Sequence, residues 1–220
     1  MPPEPLILGF DTSAAHCAAA LISGATVLAA KHEEMQKGQA ERLFPMLEAL
    51  LDEAGAGWCD LTAITVGTGP GNFTGVRISV AGARGLALSL GIPAYGVTML
   101  EALAYGAKGP VLALLDARRD QAYLQSFGYA AAAEPAMLDV AAITAPVFAY
   151  PGLTCIGPLA DMLADRLGAV ARPACYPPAV AMAMVAAARP RGGTPARPAP
   201  LYLRAADAAP ARDVAPAILP

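Results

Sequence analysis

The stretch Val66-Gly67-Thr68-Gly69-Pro70-Gly71-Asn72-Phe73-Thr74-Gly75-Val76-Arg77 decides the fold of this chain. Residues 63–66 form a short apolar run rich in β-branched side chains, which is typical of a buried strand. The next five residues hold three glycines and a proline, which favour a turn because glycine adopts positive φ and proline fixes its own φ. Asn72 or Thr74 can cap the helix that follows. The stretch therefore predicts a strand, a glycine-rich turn and a helix.

Two roles are open for this glycine turn. The free N–H groups at a helix N-terminus can bind an anion such as phosphate. Glycines also allow another backbone to approach closely. The stretch is not a Walker A motif, because no Gly-Lys-Ser/Thr follows it, and its glycine spacing does not match the dinucleotide fingerprint. The residues alone leave both roles open.

Residues 1–107 predict a first lobe with the element order β-β-β-α-β-α-β-α, a mixed sheet covered by helices. Its first strand, residues 6–10, is apolar. The strand ends in Asp11, Thr12 and Ser13, short oxygen-bearing side chains that are typical of a turn. Two further strands complete an antiparallel meander with it.

Two helices of this lobe carry informative patterns. The helix at residues 38–54 repeats apolar residues every three or four positions, and Pro45 must either kink it or mark its true first turn. In the helix at residues 74–90, small residues fall on one face. Glycine costs about 1 kcal/mol against alanine in a helix, so this stripe indicates a close neighbour, either within the chain or in a partner. The stripe consists of Gly75, Ser79, Gly82, Leu86 and Ser89.

Residues 108–205 predict a smaller second lobe. Its first strand ends in Asp116, as the first strand of the chain ends in Asp11, which is a hint of a duplicated fold. The segment 189–200 is rich in proline, glycine and arginine, and we expect it to be extended or mobile. The tail, residues 206–220, is expected to be disordered.

Composition argues against several classes of protein. The net charge is −3, which argues against a broad basic surface for nucleic acid. The four cysteines form no Cys-x-x-Cys pair, and the two histidines have no acidic or cysteine partner at ligand spacing, so neither a disulfide framework nor a metal site is expected. The chain has no apolar run of the roughly 18 residues that a membrane helix needs and no signal-peptide pattern. We therefore expect no membrane association and a cytoplasmic location.

Asp11 and Asp116 are the acids that suggest chemistry, because each ends a strand. Such a carboxylate can hold a metal-bound water or a hydroxyl, or it can accept N–H groups in its own turn. The chain has no Gly-x-Ser-x-Gly elbow, and neither histidine offers an obvious base for a triad. We therefore predict no catalytic residue. The parts of a phosphate cleft are nevertheless present: Asp11, Thr12, Ser13, Gly69, Gly71 and Asp116.

These motifs resemble the bacterial TsaB (YeaZ) family. The resemblance covers most of the chain in order and is strongest in residues 6–120. It implies an α/β fold of the actin, sugar-kinase and heat-shock ATPase superfamily, with two lobes that each hold a mixed β-sheet flanked by helices. The matching strings are Ile7-Leu8-Gly9-Phe10-Asp11-Thr12-Ser13, Gly67-x-Gly69-Pro70-Gly71-x-Phe73-Thr74-Gly75-Val76-Arg77, Gly85-Leu86-Ala87, Asp116-Ala117-Arg118 and Pro200-x-Tyr202-Leu203-Arg204.

The resemblance also implies a role in making threonylcarbamoyladenosine next to the anticodon of tRNA. In that system TsaB is the non-catalytic partner of TsaD, the paralogue that transfers the threonylcarbamoyl group, and a TsaE-type ATPase associates with the pair. TsaD carries a His-x-x-x-His metal pair on its first helix, whereas residues 38–43 here contain no histidine. The glycine turn is then a vestigial phosphate loop, and neither a cofactor nor a metal is expected. We expect tRNA to be reached only through the complex.

Our first hypothesis is a scaffold and activator that dimerises with a TsaD-type paralogue through its first-lobe helices. The free chain would self-associate through the same surface. The alternative is a stand-alone ATP-binding phosphotransferase or ATPase, in which Asp11, Thr12, Gly69 and Gly71 hold the phosphates of ATP or ADP and Mg²⁺. A peptidase is a third reading, disfavoured because no credible nucleophile and base are evident. The predicted partner interface consists of Leu43, Leu47, Phe73, Gly75, Arg77, Ser79, Gly82, Arg84 and Leu86.

Overall fold

Two five-stranded mixed sheets with flanking helices make up the structure, a computed structural model that describes residues 4–189 and 195–204. The predicted disorder of residues 206–220 falls outside the described residues. None of the helices within the described ranges is both long and apolar enough to cross a membrane. The elements follow one another as β1 (Leu6–Asp11), β2 (His16–Ser23), β3 (Thr26–Glu34), α1 (Gln39–Glu53), β4 (Ala63–Gly67), α2 (Phe73–Leu90), β5 (Ala94–Val97), α3 (Met99–Ala104), β6 (Val111–Arg118), β7 (Gln121–Phe127), β8 (Ala136–Asp139), α4 (Ala145–Phe148), β9 (Thr154–Ile156), α5 (Ala160–Leu167), β10 (Val170–Arg172) and α6 (Pro178–Ala188).

The second sheet repeats the connectivity of the first. The strand order is β3-β2-β1-β4-β5 in one sheet and β8-β7-β6-β9-β10 in the other. In each sheet the first three strands pair antiparallel, and the last two join in parallel. Asp11 and Asp116 lie on the corresponding strands β1 and β6, so the predicted two-lobed α/β architecture is confirmed.

The first sheet is covered on both faces. Leu8 and Phe10 of β1 face the core shared with α1 and α2, whereas Ile7, which precedes Leu8, faces α6. Successive residues of a strand point to opposite faces, so a sheet buried on both sides needs an unbroken apolar strand. This accounts for the continuous apolar sequence of β1.

The helix α6 belongs by sequence to residues 108–205, the predicted second lobe, but it packs on the first sheet. α6 approaches that sheet so closely that a Cβ on Gly9 would lie 2.8 Å from the Ala179 carbonyl oxygen and 3.2 Å from the Ala183 Cβ. Its other side meets α3, and Leu115 of β6 packs against the same cluster. The two helices therefore lie between the sheets. Small side chains on α6 permit this close approach.

The predicted first-lobe helices are confirmed within a residue or two of their ends. Pro45 lies inside α1, so the alternative that it marks the first turn of that helix is wrong. Three elements of the second lobe, β8, α4 and β10, were not predicted. Each has only three or four residues, too few to show a periodic pattern.

Candidate functional site

The carboxyl end of β1 carries a buried polar cluster. Asp11 and Ser13 are at most 1% exposed. The Asp11 Oδ2 atom accepts hydrogen bonds from the Ser13 N–H at 3.1 Å and the Ser13 hydroxyl at 3.0 Å. His16 places its Nε2 atom 2.7 Å from the same oxygen. The expectation was that neither histidine has an acidic partner at ligand spacing. In the structure the turn between β1 and β2 brings the His16 ring to Asp11, and His32 Nε2 lies 2.9 Å from Glu34 Oε1.

The other carboxylate oxygen of Asp11 is enclosed by the chain. Asp11 Oδ1 is buried without a hydrogen-bond partner in the structure. It faces the end of β4, where a Cβ added to Gly67 would collide with it. No side chain larger than that of glycine therefore fits beside the carboxylate.

The glycine turn packs directly on this cluster. The Asn72 N–H donates to the Ser13 carbonyl oxygen at 2.6 Å, and the Thr12 hydroxyl donates to the Gly75 carbonyl oxygen at 2.7 Å. A Cβ on Gly71 would collide with the Ser13 carbonyl oxygen, and one on Gly75 with that of Thr12. The sequence left two roles open for these glycines, anion binding and close backbone packing. In the structure they let the backbone of residues 12–13 pack closely against the turn.

The helix that follows the turn is capped as the sequence predicted. Asn72 is the N-cap of α2, and its Oδ1 accepts from the Gly75 N–H at 3.0 Å. The Ser79 hydroxyl turns inward and lies 3.3 Å from the Gly67 carbonyl oxygen. The inner side of the first turns of α2, which carries Gly75 and Ser79, is therefore fixed to the sheet.

Several residues of the predicted partner interface are buried within this chain. Leu43, Leu47, Gly75 and Ser79 are buried within the lobe and cannot contact a partner while this packing persists. A Cβ on Gly82 would lie 3.6 Å from Leu43 Cδ2, so the neighbour along the small-residue stripe includes α1 of the same chain. Leu86 is partly buried against the same core.

The remaining interface residues, Phe73, Arg77 and Arg84, are exposed. The sequence reasoning missed two exposed apolar side chains, Phe44 of α1, whose ring lies beside Gly82, and Leu88 of α2. Leu88 is 85% exposed. It is an apolar residue on the solvent side of α2, where an amphipathic pattern predicts a polar one. We call this surface the outer helical face, formed by Phe44, Phe73, Arg77, Gly82, Arg84, Gly85 and Leu88.

Residues 195–204 form an extended segment that links the two lobes. The Leu201 N–H donates to the Thr68 carbonyl oxygen at 2.8 Å, at the end of β4. Arg204 donates to the Gln121 side chain at the start of β7. In open α/β sheets, ligands bind at the carboxyl ends of the strands where the connections diverge. Here the glycine turn packs on the end of β1, and this segment lies at the ends of β4 and β5.

Asp116 does not join the buried cluster, whereas Asp11, Thr12, Ser13 and Gly71 lie together. Asp116 is exposed, and its Oδ1 accepts from the Arg118 N–H at 2.7 Å. This is the local turn role that was the alternative for both acids. Gly69 lies next to Val76 and the 195–204 segment, not against Asp11.

The cluster holds serine, histidine and aspartate, but not in the order that a hydrolase needs. In a catalytic triad, histidine lies between serine and aspartate. Here Asp11 lies between Ser13 and His16, and the Ser13 hydroxyl is buried. Within residues 4–189 and 195–204 no group of three histidine, cysteine, aspartate or glutamate side chains is placed to hold a metal ion.

Comparison with known sequences finds relatives over more than half of the chain. The family model described as "TsaD: tRNA N6-adenosine threonylcarbamoyltransferase" matches residues 29–154. The tRNA threonylcarbamoyladenosine biosynthesis protein TsaB of Escherichia coli is 39% identical over 123 residues, which cover 53% of this chain and 52% of that protein. The chain thus spans about half the length of that curated relative.

Solved structures extend the likeness to both lobes. YeaZ from Pseudomonas aeruginosa has a TM-score of 0.73 and 31% identity, over 90% of this chain and 100% of that one. Component A of the (R)-2-hydroxyglutaryl-CoA dehydratase of Acidaminococcus fermentans has a TM-score of 0.54 at 11% identity, over 84% and 100% of the two chains, and shows the fold alone. The fold is the predicted actin, sugar-kinase and heat-shock ATPase fold.

Proposed function

This chain belongs to the TsaB (YeaZ) family, which shares a family model with TsaD, and from that premise we propose that it is a non-catalytic subunit of a tRNA-modifying complex. It binds a TsaD-type paralogue and supports threonylcarbamoyl transfer to the tRNA adenosine next to the anticodon. A TsaE-type ATPase joins the pair, and tRNA is reached through the complex. One observation carries the proposal. The backbone of residues 12–13 fills the space beside the glycine turn, and an exposed apolar helical face lies next to it.

The residues of the glycine turn do not fit a nucleotide in this arrangement. Phosphate binding at such a turn needs free N–H groups and open space, but the Asn72 N–H is bonded to Ser13, and the backbone of residues 12–13 packs against the glycines. Asp11, which would have to face Mg²⁺, is bonded to His16 and enclosed. We therefore propose that the chain acts without a bound nucleotide.

The outer helical face has the composition of a protein interface. Phe44 is 42% exposed, Leu88 is more exposed still, and a Cβ on Gly85 would meet no atom within 4 Å. Arg77 and Arg84 lie two helical turns apart on the same side of α2. Exposed aromatic and arginine side chains are enriched where binding energy concentrates, and open glycines allow a second helix to come close. Self-association of the free chain would use the same face.

The test is the affinity for a TsaD-type subunit from the same organism, measured by titration calorimetry. Gly85→Glu and Leu88→Glu place a charge on the outer helical face without disturbing a core contact, and we expect each to weaken binding about tenfold or more. Met162→Glu is the matched control, since Met162 is a half-exposed apolar residue on the second lobe. Wild-type affinity in the first two variants, or an equal loss in the control, would overturn the proposal.

Reconstitution of the tRNA modification tests the role itself. We expect the rate of threonylcarbamoyl transfer by the TsaD-type and TsaE-type subunits to depend on this chain. Leu88→Glu should lower the rate toward the level seen when the chain is omitted. Full activity without the chain contradicts a scaffold role.

A further inference from the structure

Arg77 is held in place by two aromatic rings at the start of α2. Its guanidinium carbon lies 3.8 Å from the centroid of the Phe73 ring, and its Nε–H donates to the Tyr202 hydroxyl at 2.8 Å. The two rings also stack on each other, with centroids 4.9 Å apart. Among the described residues, no hydrogen bond or ion pair engages the two terminal nitrogens of Arg77. The side chain is therefore oriented while its outer edge stays available.

The position of Tyr202 is fixed by its neighbours in the 195–204 segment. Leu201 is bonded to Thr68 of the first lobe, and Arg204 to Gln121 of the second. Pro198 is buried, with its Cα 3.5 Å from the position that a Cβ on Gly96 would take. These tethers on both sides hold the phenol ring over the first turn of α2.

We infer that Phe73 and Tyr202 pre-orient Arg77 to bind a carboxylate of the partner subunit, so that segment 195–204 forms part of the docking surface. This inference rests on the proposed function, since it takes the paralogous subunit as the bearer of the carboxylate. The planar guanidinium edge matches a carboxylate with two parallel hydrogen bonds. A side chain that is already ordered loses little freedom on binding, which favours affinity.

Charge and position favour a protein carboxylate over an RNA phosphate. Arg77 lies on the outer helical face, in line with Arg84, and Phe73 and Tyr202 are each about 40% exposed beside it. Tyrosine and arginine are enriched among the residues that dominate protein–protein affinity. By contrast, the chain carries a net charge of −3, and the exposed acids at the β6–β7 turn, Asp116 and Asp120, are balanced there by two arginines at positions 118 and 119. A surface of this kind lacks the excess of positive charge that RNA backbones select.

The experiment is a double-mutant cycle on the full chain, with the dissociation constant for the TsaD-type subunit measured by calorimetry. Arg77→Gln should weaken binding about tenfold, because it removes a charge-assisted pair. Tyr202→Phe keeps the ring stack and removes only the hydroxyl that holds Nε, so we expect a loss of about threefold. In the Arg77→Gln background, Tyr202→Phe should have no further effect. Tyr176→Phe, an exposed tyrosine that stacks on Tyr105, is the matched control.

The outcomes separate this inference from the proposed function. The inference is overturned if Tyr202→Phe leaves binding unchanged, or if it weakens binding equally in the wild-type and Arg77→Gln backgrounds. It is also overturned if the substitutions change only the affinity of the assembled complex for tRNA. If Leu88→Glu weakens binding and Arg77→Gln does not, the proposed function stands and this inference is refuted. Absence of binding by the wild-type chain would refute the proposed function itself. Thermal unfolding of every variant shows that the compared proteins are folded.

Discussion

The carboxylate of Asp11 and the imidazole of His16 lie 2.7 Å apart, with Asp11 fully buried and His16 only 7% exposed. The pair joins the end of β1 to the start of β2. The His16 ring also lies against His32 of β3, with ring centroids 4.8 Å apart. The contact therefore ties three strands together beneath the glycine turn, and its role is structural.

We expect His16→Ala to destabilise the protein by about 3 kcal/mol, because it removes one of the three groups that hydrogen-bond to Oδ2 of the buried Asp11 carboxylate. Urea unfolding at neutral pH measures the change in the free energy of unfolding. His32→Ala is the matched control: the ring is 38% exposed and its partner Glu34 is largely exposed, so the loss should stay near 0.5 kcal/mol. Equal losses in the two variants would show that the buried Asp11–His16 contact stabilises the protein no more than the exposed His32–Glu34 contact does.

The isolated chain should give no heat of binding when titrated with ATP and Mg²⁺ in a calorimeter. Phosphate would need the space that residues 12–13 fill beside Gly71 and Gly75, and Asp11 would have to leave His16. A sugar kinase of the same fold serves as the positive control. Tight binding that Asp11→Asn abolishes would contradict this expectation and favour the phosphotransferase alternative.

Local sequence patterns predicted the elements around the glycine turn well, because strand, turn and cap signals lie within a few residues of each other. The pairing of His16 with Asp11 and the return of α6 to the first sheet depend on tertiary contacts. Gly9 inside a strand, together with alanines four apart on α6, was the available signal for that close packing. Apolar periodicity showed that Leu43 and Leu47 would be buried. It does not distinguish burial within the chain from burial against a partner.

Two of the four cysteines should resist modification in the folded protein. Burial raises the pKa of the Cys17 and Cys155 thiols from 9.0 to about 11, whereas Cys59 and Cys175 are exposed. The thiolate is the reactive form, so a disulfide reagent at pH 8 should titrate two thiols rapidly and four after denaturation. Four rapid reactions in the native state would contradict the burial.

The same thiols predict a loss of stability at alkaline pH. Burial keeps both thiols neutral in the folded state. Their contribution to the free energy of unfolding is fully present below pH 9, where the thiols of the unfolded chain are also protonated. It is lost as the pH rises toward 11. Urea unfolding of Cys17→Ser/Cys155→Ser against the wild type, between pH 8 and 10.5, measures this difference. A stability difference that does not change over this range would contradict the assignment.

Two glycines of α2 should respond to alanine with opposite signs. Gly75→Ala brings a Cβ against the Thr12 carbonyl oxygen, and that backbone cannot shift freely because the Thr12 hydroxyl bonds to Gly75. We expect a loss of about 3 kcal/mol from overpacking. Gly85→Ala meets no atom within 4 Å and gains helix propensity, so it should stabilise the protein by about 1 kcal/mol. Urea unfolding of the two variants, which carry the same added methyl group on one helix, separates close packing from propensity. Changes of the same sign would show that the glycine turn does not hold α2 as tightly as the geometry requires.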